Sequence, residues 1–296
     1  MNFEQMKAKI AAGDGFIAAL DQSGGSTPKA LAGYGVGEDE YSGEDEMFAK
    51  IHEMRCRIVD SPSFSNGKVI GAILFEKTME GCSKDGSPIP ALLSRRGIVP
   101  FLKVDKGLED ERDGAQLMKP NPGLEDMCNR ARELGVFGTK MRSVIKSANP
   151  VGIKEAVRQQ FAEGARILSC GLVPMLEPEY DITAADRAEG EKIMLEAIEE
   201  GLVALPEGQQ IMLKLSIPKE AGIYGGLTNH PKVLRVVALS GGYSTEEACS
   251  ELAKNPGMIA SFSRGLLQDL RATQSDDEFD GTLSGAIDQI HAASVA

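Results

Sequence analysis

The sequence predicts an α/β protein with a (β/α)8 barrel, the TIM-barrel fold, and with extra helices at its N- and C-terminal ends. The first observation is a series of eight short apolar runs, most of them separated by amphipathic helical stretches. The second is Gly135, Gly171 and Gly257, which stand where a helix would close before the next strand. The third is the length of 296 residues, which α/β barrels often occupy as one domain.

The eight predicted strands are the most apolar parts of the chain. In chain order they are GFIAALD (15–21), VIGAILF (69–75), GIVPFLKV (97–104), GVFGTKMR (135–142), GLVPMLE (171–177), QIMLKLS (210–216), VLRVVALS (233–240) and GMIASFS (257–263). A strand and a helix repeated eight times favour a parallel sheet closed into a barrel. The alternative is an open doubly wound sheet, which more typically carries a GxGxxG or P-loop motif after its first strand, and neither motif is present.

Helical periodicity between the strands supports the same architecture. Apolar stripes are formed by Met47, Ile51, Met54 and Ile58, by Ile153, Val157, Phe161, Ala165 and Leu168, and in the tail by Phe279, Leu283, Ala286, Ile287 and Ile290. Such stripes are the core-facing sides of helices. There is no linker, charge block or shift in composition, so the prediction is a single barrel domain over residues 1–296.

The composition is that of an ordinary soluble protein, with 42% hydrophobic and 26% charged residues. The longest clean apolar run, residues 69–75, is too short to span a membrane. The first residues lack the pattern of a secretory signal. We therefore expect a cytoplasmic protein with no membrane partner, and the sequence leaves a homo-oligomer open.

Charge and the scatter of metal-binding side chains argue against several classes of function. A net charge of −12 argues against a nucleic-acid partner, because such a surface needs basic stripes that neutralise phosphates. No two of the five cysteines are closer than 26 positions, so neither a disulfide framework nor a zinc site is expected. The three histidines belong to no ligand-spaced motif. The prediction is no metal and no cofactor.

The stretch IMLKLS, residues 211–216, sets one lysine, Lys214, into an apolar strand. Strands buried on both faces are nearly continuous apolar runs, and lysine is rarely buried without a reason. One interpretation is structural: the stem lies along apolar surface and the ammonium reaches water. The other is an amine that attacks carbonyl groups. The segment alone favours the structural interpretation.

Polar residues at the ends of the other strands change that balance. In a barrel, the C-terminal ends of the strands converge on one mouth, where active sites lie. Lys103, Lys140, Glu177 and Lys214 are spaced 37 residues apart, as equivalent positions of successive units would be. The polar residues predicted at this mouth are Asp21, Glu76, Lys103, Asp105, Lys140, Arg142, Glu177, Glu179, Lys214, Ser240 and Arg264.

Five of these residues are cations, in a protein that is acidic overall. Gathered at one cleft, they would focus a positive potential and favour an anionic substrate such as a phosphate ester. A lysine becomes a nucleophile only after its ammonium loses a proton, which desolvation or a cationic neighbour favours. We expect Lys140 and the apolar barrel interior to provide these conditions for Lys214.

Glycine-rich loops after the last two predicted strands are candidate phosphate-binding sites. Bare backbone N–H groups approach phosphate oxygens closely, and a guanidinium binds two of them at once. Each loop alone is also consistent with a plain turn. Their polar and glycine residues are Ser240, Gly241 and Gly242 in LSGGYS, and Ser263, Arg264 and Gly265 in SFSRG.

A third loop, DQSGGS, follows the first strand and offers Ser23 and Ser26, together with Lys103 from the third strand. These groups are candidates for a second phosphate, while Asp21 faces the space between the two sites. The alternative is that Asp21 closes an Asx-turn and that the glycines supply positive φ. Two phosphate sites across one mouth imply a substrate that is phosphorylated at both ends.

Seven motifs along the chain occur in the order known from one enzyme family. They are LDQSGGS, LKVDKG, FGTKMR, MLEPE, MLKLS, LSGGYS and SFSRGL. On these residues the sequence resembles the class I fructose-bisphosphate aldolases, and it is most similar to their shorter bacterial form. The resemblance covers essentially the whole chain.

The resemblance implies a metal-independent lyase that reversibly cleaves fructose 1,6-bisphosphate to dihydroxyacetone phosphate and glyceraldehyde 3-phosphate, in glycolysis and gluconeogenesis. Lys214 would form a Schiff base with the C2 carbonyl, and Glu177 would move protons as the carbinolamine forms and dehydrates, with Glu179 as its neighbour. Asp21 would orient the sugar chain and assist removal of the C4 hydroxyl proton. Lys140 would stabilise charged intermediates and keep the Lys214 amine neutral.

The resemblance also implies the residues that bind the sugar bisphosphate. Those for the sugar hydroxyls or the C6 phosphate are Arg142, Lys103, Ser23 and Ser26, and those for the C1 phosphate are Ser240, Gly241, Gly242 and Arg264. The chemistry agrees with these residue types, because an iminium at C2 stores the electron pair of the broken C3–C4 bond as an enamine.

Four positions depart from the animal-type pattern. Gln22 stands where a glutamate often follows the aspartate, Met141 replaces a tryptophan, and Ala30 lies where a basic residue can help with phosphate. The sequence ends at Ala296 without the terminal tyrosine tail of animal forms. These departures bear on sugar selectivity and on late proton transfers, and they leave the Schiff-base residues unchanged.

Three other functions compete with this one. A metal-dependent aldolase needs clustered histidines, and His52, His230 and His291 are isolated in the sequence. A different Schiff-base enzyme, acting on a sugar with one phosphate or as a transaldolase, is the nearest alternative. A barrel can also bind sugar phosphates without turnover, since fold does not determine function.

Overall fold

Eight parallel strands form a nearly closed barrel in the computed structural model, which describes residues 1–65 and 67–296. The strands are β1 Phe16–Leu20, β2 Val69–Leu74, β3 Val99–Lys103, β4 Ala115–Gln116, β5 Gly138–Ile145, β6 Val173–Tyr180, β7 Ile211–Ser216, β8 Val233–Leu239 and β9 Met258–Ala260. Neighbours in the barrel follow the chain order β1-β2-β3-β5-β6-β7-β8-β9. The short β4 lies off this path and pairs antiparallel with β5.

Helices connect most of these strands on the outside of the barrel. They are α1 Phe3–Ala12, α2 Ser26–Tyr34, α3 Gly43–Asp60, α4 Glu76–Met79, α5 Ile89–Arg95, α6 Leu124–Glu133, α7 Pro150–Ser169, α8 Arg187–Ala204, α9 Gly225–Thr228, α10 Thr245–Leu252, α11 Arg264–Leu267 and α12 Asp276–Ser294, with 3₁₀ helices at Glu38–Glu40 and Pro62–Ser65. The extra terminal helices that the sequence predicts are α1 and α12. Across the described ranges, no helix has the length and apolarity needed to cross a bilayer.

All eight predicted strands are present, and the backbone is left-handed at Gly135, Gly171 and Gly257, with φ of 82°, 79° and 89°. Two predicted strand ends are wrong. The fourth and fifth predicted strands end at residues 142 and 177, but β5 and β6 continue to Ile145 and Tyr180 because they pair residue for residue over their whole length. Charged residues that look like strand ends therefore lie within the ladder.

Apolar side chains fill the N-terminal half of the barrel interior. Alternate residues of a strand point to the same face of the sheet. Ile17, Phe101, Met175 and Met212 accordingly meet in one buried cluster inside the barrel. The close packing excludes a side chain at Gly138, where a Cβ would lie 3.0 Å from the Phe101 ring.

Helix α1 closes this half of the barrel as a floor. Met6 and Ile10 project from α1 into the interior cluster. At the C-terminal end of α1, Arg235 of β8 donates hydrogen bonds to the carbonyls of Ala11 and Gly13, at 2.8 and 3.3 Å. A cation bonded to the last carbonyls of a helix also complements the helix dipole.

The barrel has a seam between β9 and β1. These strands are in contact, but they share no ladder of hydrogen bonds in the described part of the chain. Helix α12 packs on both strands from outside, and its predicted apolar stripe between Phe279 and Ile290 faces the core. Near its end, Ser294 accepts a hydrogen bond from the N–H of Ala260.

The predicted apolar stripe of α7 is wrong at one position, Ala165, which is exposed. Ile153 and Val157 are buried, and Phe161 and Leu168 are partly buried against the core. Gly164 and Ile167 are buried on either side of Ala165. A helix has 3.6 residues per turn, so a stripe extended in steps of four drifts off the buried face.

Removing the side chain of Ile10 should weaken the fold. Ile10 is completely buried in the floor, so Ile10→Ala leaves a cavity and should lower the free energy of unfolding by about 2–5 kcal/mol. Urea denaturation followed by circular dichroism measures the change. The control is Val203→Ala, at a residue that is 82% exposed, where a change within about 0.5 kcal/mol is expected. Equal effects in the two variants would contradict the role of α1 as the floor.

Candidate active site

Four charged side chains form a row of alternating sign in the C-terminal half of the barrel interior. Lys140 Nζ lies 2.6 Å from Oδ2 of Asp21 and 2.9 Å from Oε2 of Glu177. Lys214 Nζ lies 3.0 Å from the other oxygen of Glu177, Oε1. Lys140, Glu177 and Lys214 are buried, with only 3–4% of each residue exposed. Four of the five candidate catalytic residues are therefore in direct contact.

The period of the strands places this row inside the barrel. Glu177 and Lys214 each follow an inward-facing methionine, Met175 or Met212, by two residues, so they point inward as well. Lys140 pairs with Met175 in the ladder of β5 and β6, so it also faces inward. The structural interpretation of Lys214 as a lysine that reaches water is wrong, because its ammonium is buried against Glu177.

Within the row, Asp21 and Lys140 hold each other in their ionised states. Burial opposes the ionisation of Asp21, but Lys140, Lys214 and Lys103 together hold the pKa of this carboxyl well below its usual range. Burial likewise opposes the charge on Lys140, but Asp21 and Glu177 raise the pKa of this ammonium above its usual value. Asp21 and Lys140 are therefore a buried ion pair at neutral pH.

A second row of alternating charge lies nearer to solvent. Lys103 Nζ is 2.7 Å from Oδ1 of Asp105, whose Oδ2 accepts the backbone N–H of Arg142 at 3.3 Å. Arg142 Nη1 in turn lies 3.1 Å from Oε2 of Glu179. Burial, and then the charge of Glu177, raise the pKa of Glu179. Asp105 links the cations of this row, although no motif assigns it a role.

The two predicted phosphate loops lie side by side at the ends of β8 and β9. Gly241 and Gly242 have φ of 61° and 122°, which strongly favours glycine. A Cβ at Gly241 would lie 2.6 Å from the side chain of Ile182, in the loop after β6. In the second loop, a Cβ at Gly265 would lie 3.0 Å from Oγ1 of Thr245, the first residue of α10, which directly follows the LSGGYS loop.

The side chains of these loops include a cation that is available to a ligand. Arg264 is exposed, and in the described residues its guanidinium has no carboxylate partner. Ser240 is half-buried at the end of β8. Ser263 Oγ accepts a hydrogen bond of 2.5 Å from Nε2 of Gln22, which belongs to the loop after β1. The three loops therefore meet at one edge of the mouth.

The loop after β1 uses part of its polar groups internally. The hydroxyl of Ser26 donates to the carbonyl of Ser23 at 2.8 Å and accepts the Ser23 N–H at 3.0 Å. The Asx-turn alternative does not apply to Asp21, because its carboxylate pairs with Lys140. Within the described chain, the structure shows no contact of Lys103 with either serine.

Two buried arginines behind these loops are missed by sequence reasoning. Arg55 of α3 donates a 2.6 Å hydrogen bond to the backbone carbonyl of Gln22. Arg187 of α8 pairs with Glu191 at 2.7 Å and donates to the hydroxyl of Tyr243 at 3.2 Å, in the loop after β8. Arg55 and Gln22 are 33 positions apart, and Arg187 and Tyr243 are 56 apart, so no local motif signals either contact.

Metal-ligating side chains are dispersed in the part of the chain that the structure describes. There, no group of three or more His, Cys, Asp and Glu residues is arranged to hold a metal ion. All five cysteines are free. Cys56 lies 3.4 Å from Nε2 of His52, and burial raises the pKa of its thiol to about 11, which makes it a weak nucleophile.

Comparison with known proteins relates this chain to an enzyme family. A family model described as fructose-bisphosphate aldolase class-I matches residues 3–213, which is most of the chain. The chain belongs to this family. It is therefore an aldolase, a lyase that acts through a Schiff base. The match ends immediately before Lys214, so this lysine and the loops after β8 and β9 lie beyond the matched residues.

Solved structures with the same fold include two proteins of low sequence identity to this aldolase. The fructose-bisphosphate aldolase of Plasmodium falciparum, in a complex with TRAP and an inhibitor, has a TM-score of 0.75 at 20% identity, over 99% of this chain and 94% of its own. A Corynebacterium glutamicum protein has a TM-score of 0.56 at 13% identity, over 98% and 92%. At these identities the likeness supports the (β/α)8 fold alone.

Replacing Lys140 should destabilise the aldolase in a pH-dependent way. Lys140→Met leaves two buried carboxylates without their shared cation, which should lower the free energy of unfolding by about 3–5 kcal/mol at pH 7. The wild type loses stability as acid protonates Asp21, whose pKa is lowered in the folded state. In Lys140→Met, burial raises that pKa instead, so protonation favours the folded variant.

The free energy of unfolding of Lys140→Met should therefore approach that of the wild type as the pH falls from 7 to about 4. This is the range in which a raised carboxyl pKa takes effect. Urea denaturation at each pH measures it. The control is Lys192→Met, which removes an exposed ion pair with Glu220 and should change stability by less than about 1 kcal/mol. A difference in unfolding free energy between wild type and Lys140→Met that does not vary with pH would contradict the stabilisation of ionised Asp21 by Lys140.

Proposed function

We propose that this aldolase reversibly cleaves fructose 1,6-bisphosphate to dihydroxyacetone phosphate and glyceraldehyde 3-phosphate, with Lys214 as the Schiff-base lysine. The supporting observation is the buried row of Asp21, Lys140, Glu177 and Lys214, which places two lysines and two carboxylates at the barrel mouth. We further propose that the chain is a single catalytic domain, residues 1–296, which serves glycolysis and gluconeogenesis in the cytoplasm.

Glu177 serves the formation of the Schiff base. Its carboxylate, 3.0 Å from Lys214 Nζ, accepts the proton that the ammonium must lose before the amine attacks C2. The same carboxyl then returns a proton to the C2 hydroxyl of the carbinolamine, which leaves as water. Lys140 holds the other oxygen of Glu177 in place and stabilises the charged intermediates.

Asp21 serves the cleavage step. The iminium at C2 draws the electron pair of the C3–C4 bond into an enamine, while the C4 hydroxyl loses its proton and becomes the aldehyde. A lowered pKa keeps Asp21 ionised, so its carboxylate orients the C4 hydroxyl and accepts its proton as the C3–C4 bond breaks. Protonation at C3 and hydrolysis of the iminium then release dihydroxyacetone phosphate and restore Lys214. Glu179 is the carboxyl that neighbours Glu177, whose charge helps to raise the Glu179 pKa after burial.

The two phosphates bind to different sets of residues at the mouth. We assign the C1 phosphate to Ser240, Gly241, Gly242 and Arg264, because the glycines offer bare N–H groups and the exposed guanidinium has no carboxylate partner in the described residues. We assign the sugar hydroxyls or the C6 phosphate to Lys103 and Arg142, with Ser23 and Ser26 alongside. Both of these cations are paired with carboxylates in the absence of substrate, so a phosphate must displace those carboxylates or join them.

Borohydride reduction in the presence of dihydroxyacetone phosphate tests the assignment of Lys214. Reduction converts an iminium into a stable secondary amine, so the peptide with Lys214 should gain the mass of the reduced ketone phosphate, as read by peptide mass mapping. Lys214→Met should abolish the adduct. The matched control, Lys154→Met, removes an exposed lysine that pairs with Glu200 and should leave the adduct intact.

Two outcomes would overturn the proposal. The first is the absence of any adduct in the wild type, which would remove the Schiff-base reaction from this site. The second is an adduct that maps to a lysine other than Lys214, such as Lys140, which would keep the reaction class but reassign its nucleophile.

A further inference from the structure

Arg55 is a buried arginine that lies behind the loop after β1 and has no carboxylate partner among the described residues. It is 1% exposed. Its Nη1 donates to Oγ1 of Thr78 at 2.8 Å, and its Nη2 donates to the backbone carbonyl of Gln22 at 2.6 Å. Burial lowers the pKa of this guanidinium to about 10, opposed by the charge of Asp21. Burying a cation without a counter-ion costs free energy, so Arg55 depends on its hydrogen bonds to Thr78 and Gln22.

Arg55 also determines the orientation of the Gln22 amide. A guanidinium only donates hydrogen bonds, so the Gln22 atom that lies 3.2 Å from Nη2 is the acceptor Oε1. Nε2 is then directed to two other groups: the carbonyl of Ala19 at 3.0 Å and Oγ of Ser263 at 2.5 Å. The carbonyl only accepts, which agrees with this orientation of the amide.

The bond from Gln22 to Ser263 crosses the seam of the barrel. The strands β1 and β9 share no ladder in the described chain, yet they carry Asp21 and the loop with Arg264, respectively. Because Nε2 donates to Ser263 Oγ, the hydroxyl proton of Ser263 is left to be donated elsewhere, and no acceptor for it is present in the described residues. Ser263 is half-buried and adjacent to Arg264.

We propose that Arg55 and Gln22 are positioning residues, which orient the Ser263 hydroxyl so that it donates its proton to the substrate phosphate held by the Arg264 loop. The inference rests on the proposed function. In this relay, Arg55 donates a hydrogen bond to Gln22, Gln22 donates one to Ser263, and Ser263 donates one to the phosphate. A glutamate at position 22 would accept hydrogen bonds from both Arg55 and Ser263, and the serine proton would then be lost to phosphate.

Trapping by borohydride at varied ketone concentrations tests this relay. Gln22→Met is neutral and similar in size, so it removes the bond to Ser263 without adding charge. We expect the half-saturating concentration of dihydroxyacetone phosphate to rise about tenfold or more, the effect of one lost hydrogen bond to a charged group. The amount of adduct at saturation should stay the same. Dihydroxyacetone, which has no phosphate, should trap equally well in wild type and variant.

Three further variants separate the relay from a general structural effect. Ser263→Ala should raise the half-saturating concentration as Gln22→Met does, and the double variant should show no further rise, since both changes remove the same bond. Gln22→Glu keeps an acceptor for Arg55 and hence the fold, and it should raise the concentration as well. Gln210→Met is the control, because its amide donates to the Pro231 carbonyl before β8 and far from the mouth.

The outcomes distinguish the relay from the proposed function. No adduct in the wild type removes the proposed function itself. A wild-type adduct with unchanged half-saturation in Gln22→Met and Gln22→Glu overturns the relay alone. Equal losses with dihydroxyacetone and its phosphate, or effects of Gln22→Met and Ser263→Ala that multiply, would likewise show that Gln22 does not act through a phosphate contact of Ser263.

Discussion

The ammonium of Lys140, held between the carboxylates of Asp21 and Glu177, is the interaction on which the barrel mouth depends. Removing such groups from water is costly unless each charge is paired. Here the row contains two cations and two anions, and each neighbour has the opposite sign. The pairing joins side chains from β5, β6 and β7 to the residue after β1, so the same contacts that satisfy buried charge also set the positions of the reactive groups.

The barrel interior has an apolar half and a charged half, and both are formed by inward-facing residues of the same strands. Met175 and Met212 lie in the apolar floor, and two residues further along the same strands Glu177 and Lys214 lie in the charged row. The floor is closed by Ile10 of α1 and excludes water from below. A buried charge above an apolar floor interacts more strongly than it would in solvent. Fold and chemistry thus depend on the same strand period.

The eight strands and the terminal helices could be predicted because each depends on local periodicity, and the family motifs brought Lys140, Glu177 and Lys214 to one mouth. The ends of β5 and β6 could not be predicted, because charged residues within a strand resemble the residues that follow a strand. Only the pairing of the two strands shows that they continue to Ile145 and Tyr180. Arg55 could not be identified either, since its role comes from contacts across the fold. Local sequence gives no signal for a bond such as that of Arg55 with Gln22, 33 positions away.

A crystal structure of the borohydride-reduced adduct with dihydroxyacetone phosphate tests the central claim most directly. The account predicts a bond from Lys214 Nζ to C2, a carboxylate oxygen of Glu177 beside that nitrogen, and the phosphate between Ser240 and Arg264. A ketone bonded to another lysine, or a phosphate seated away from the loops after β8 and β9, would contradict it.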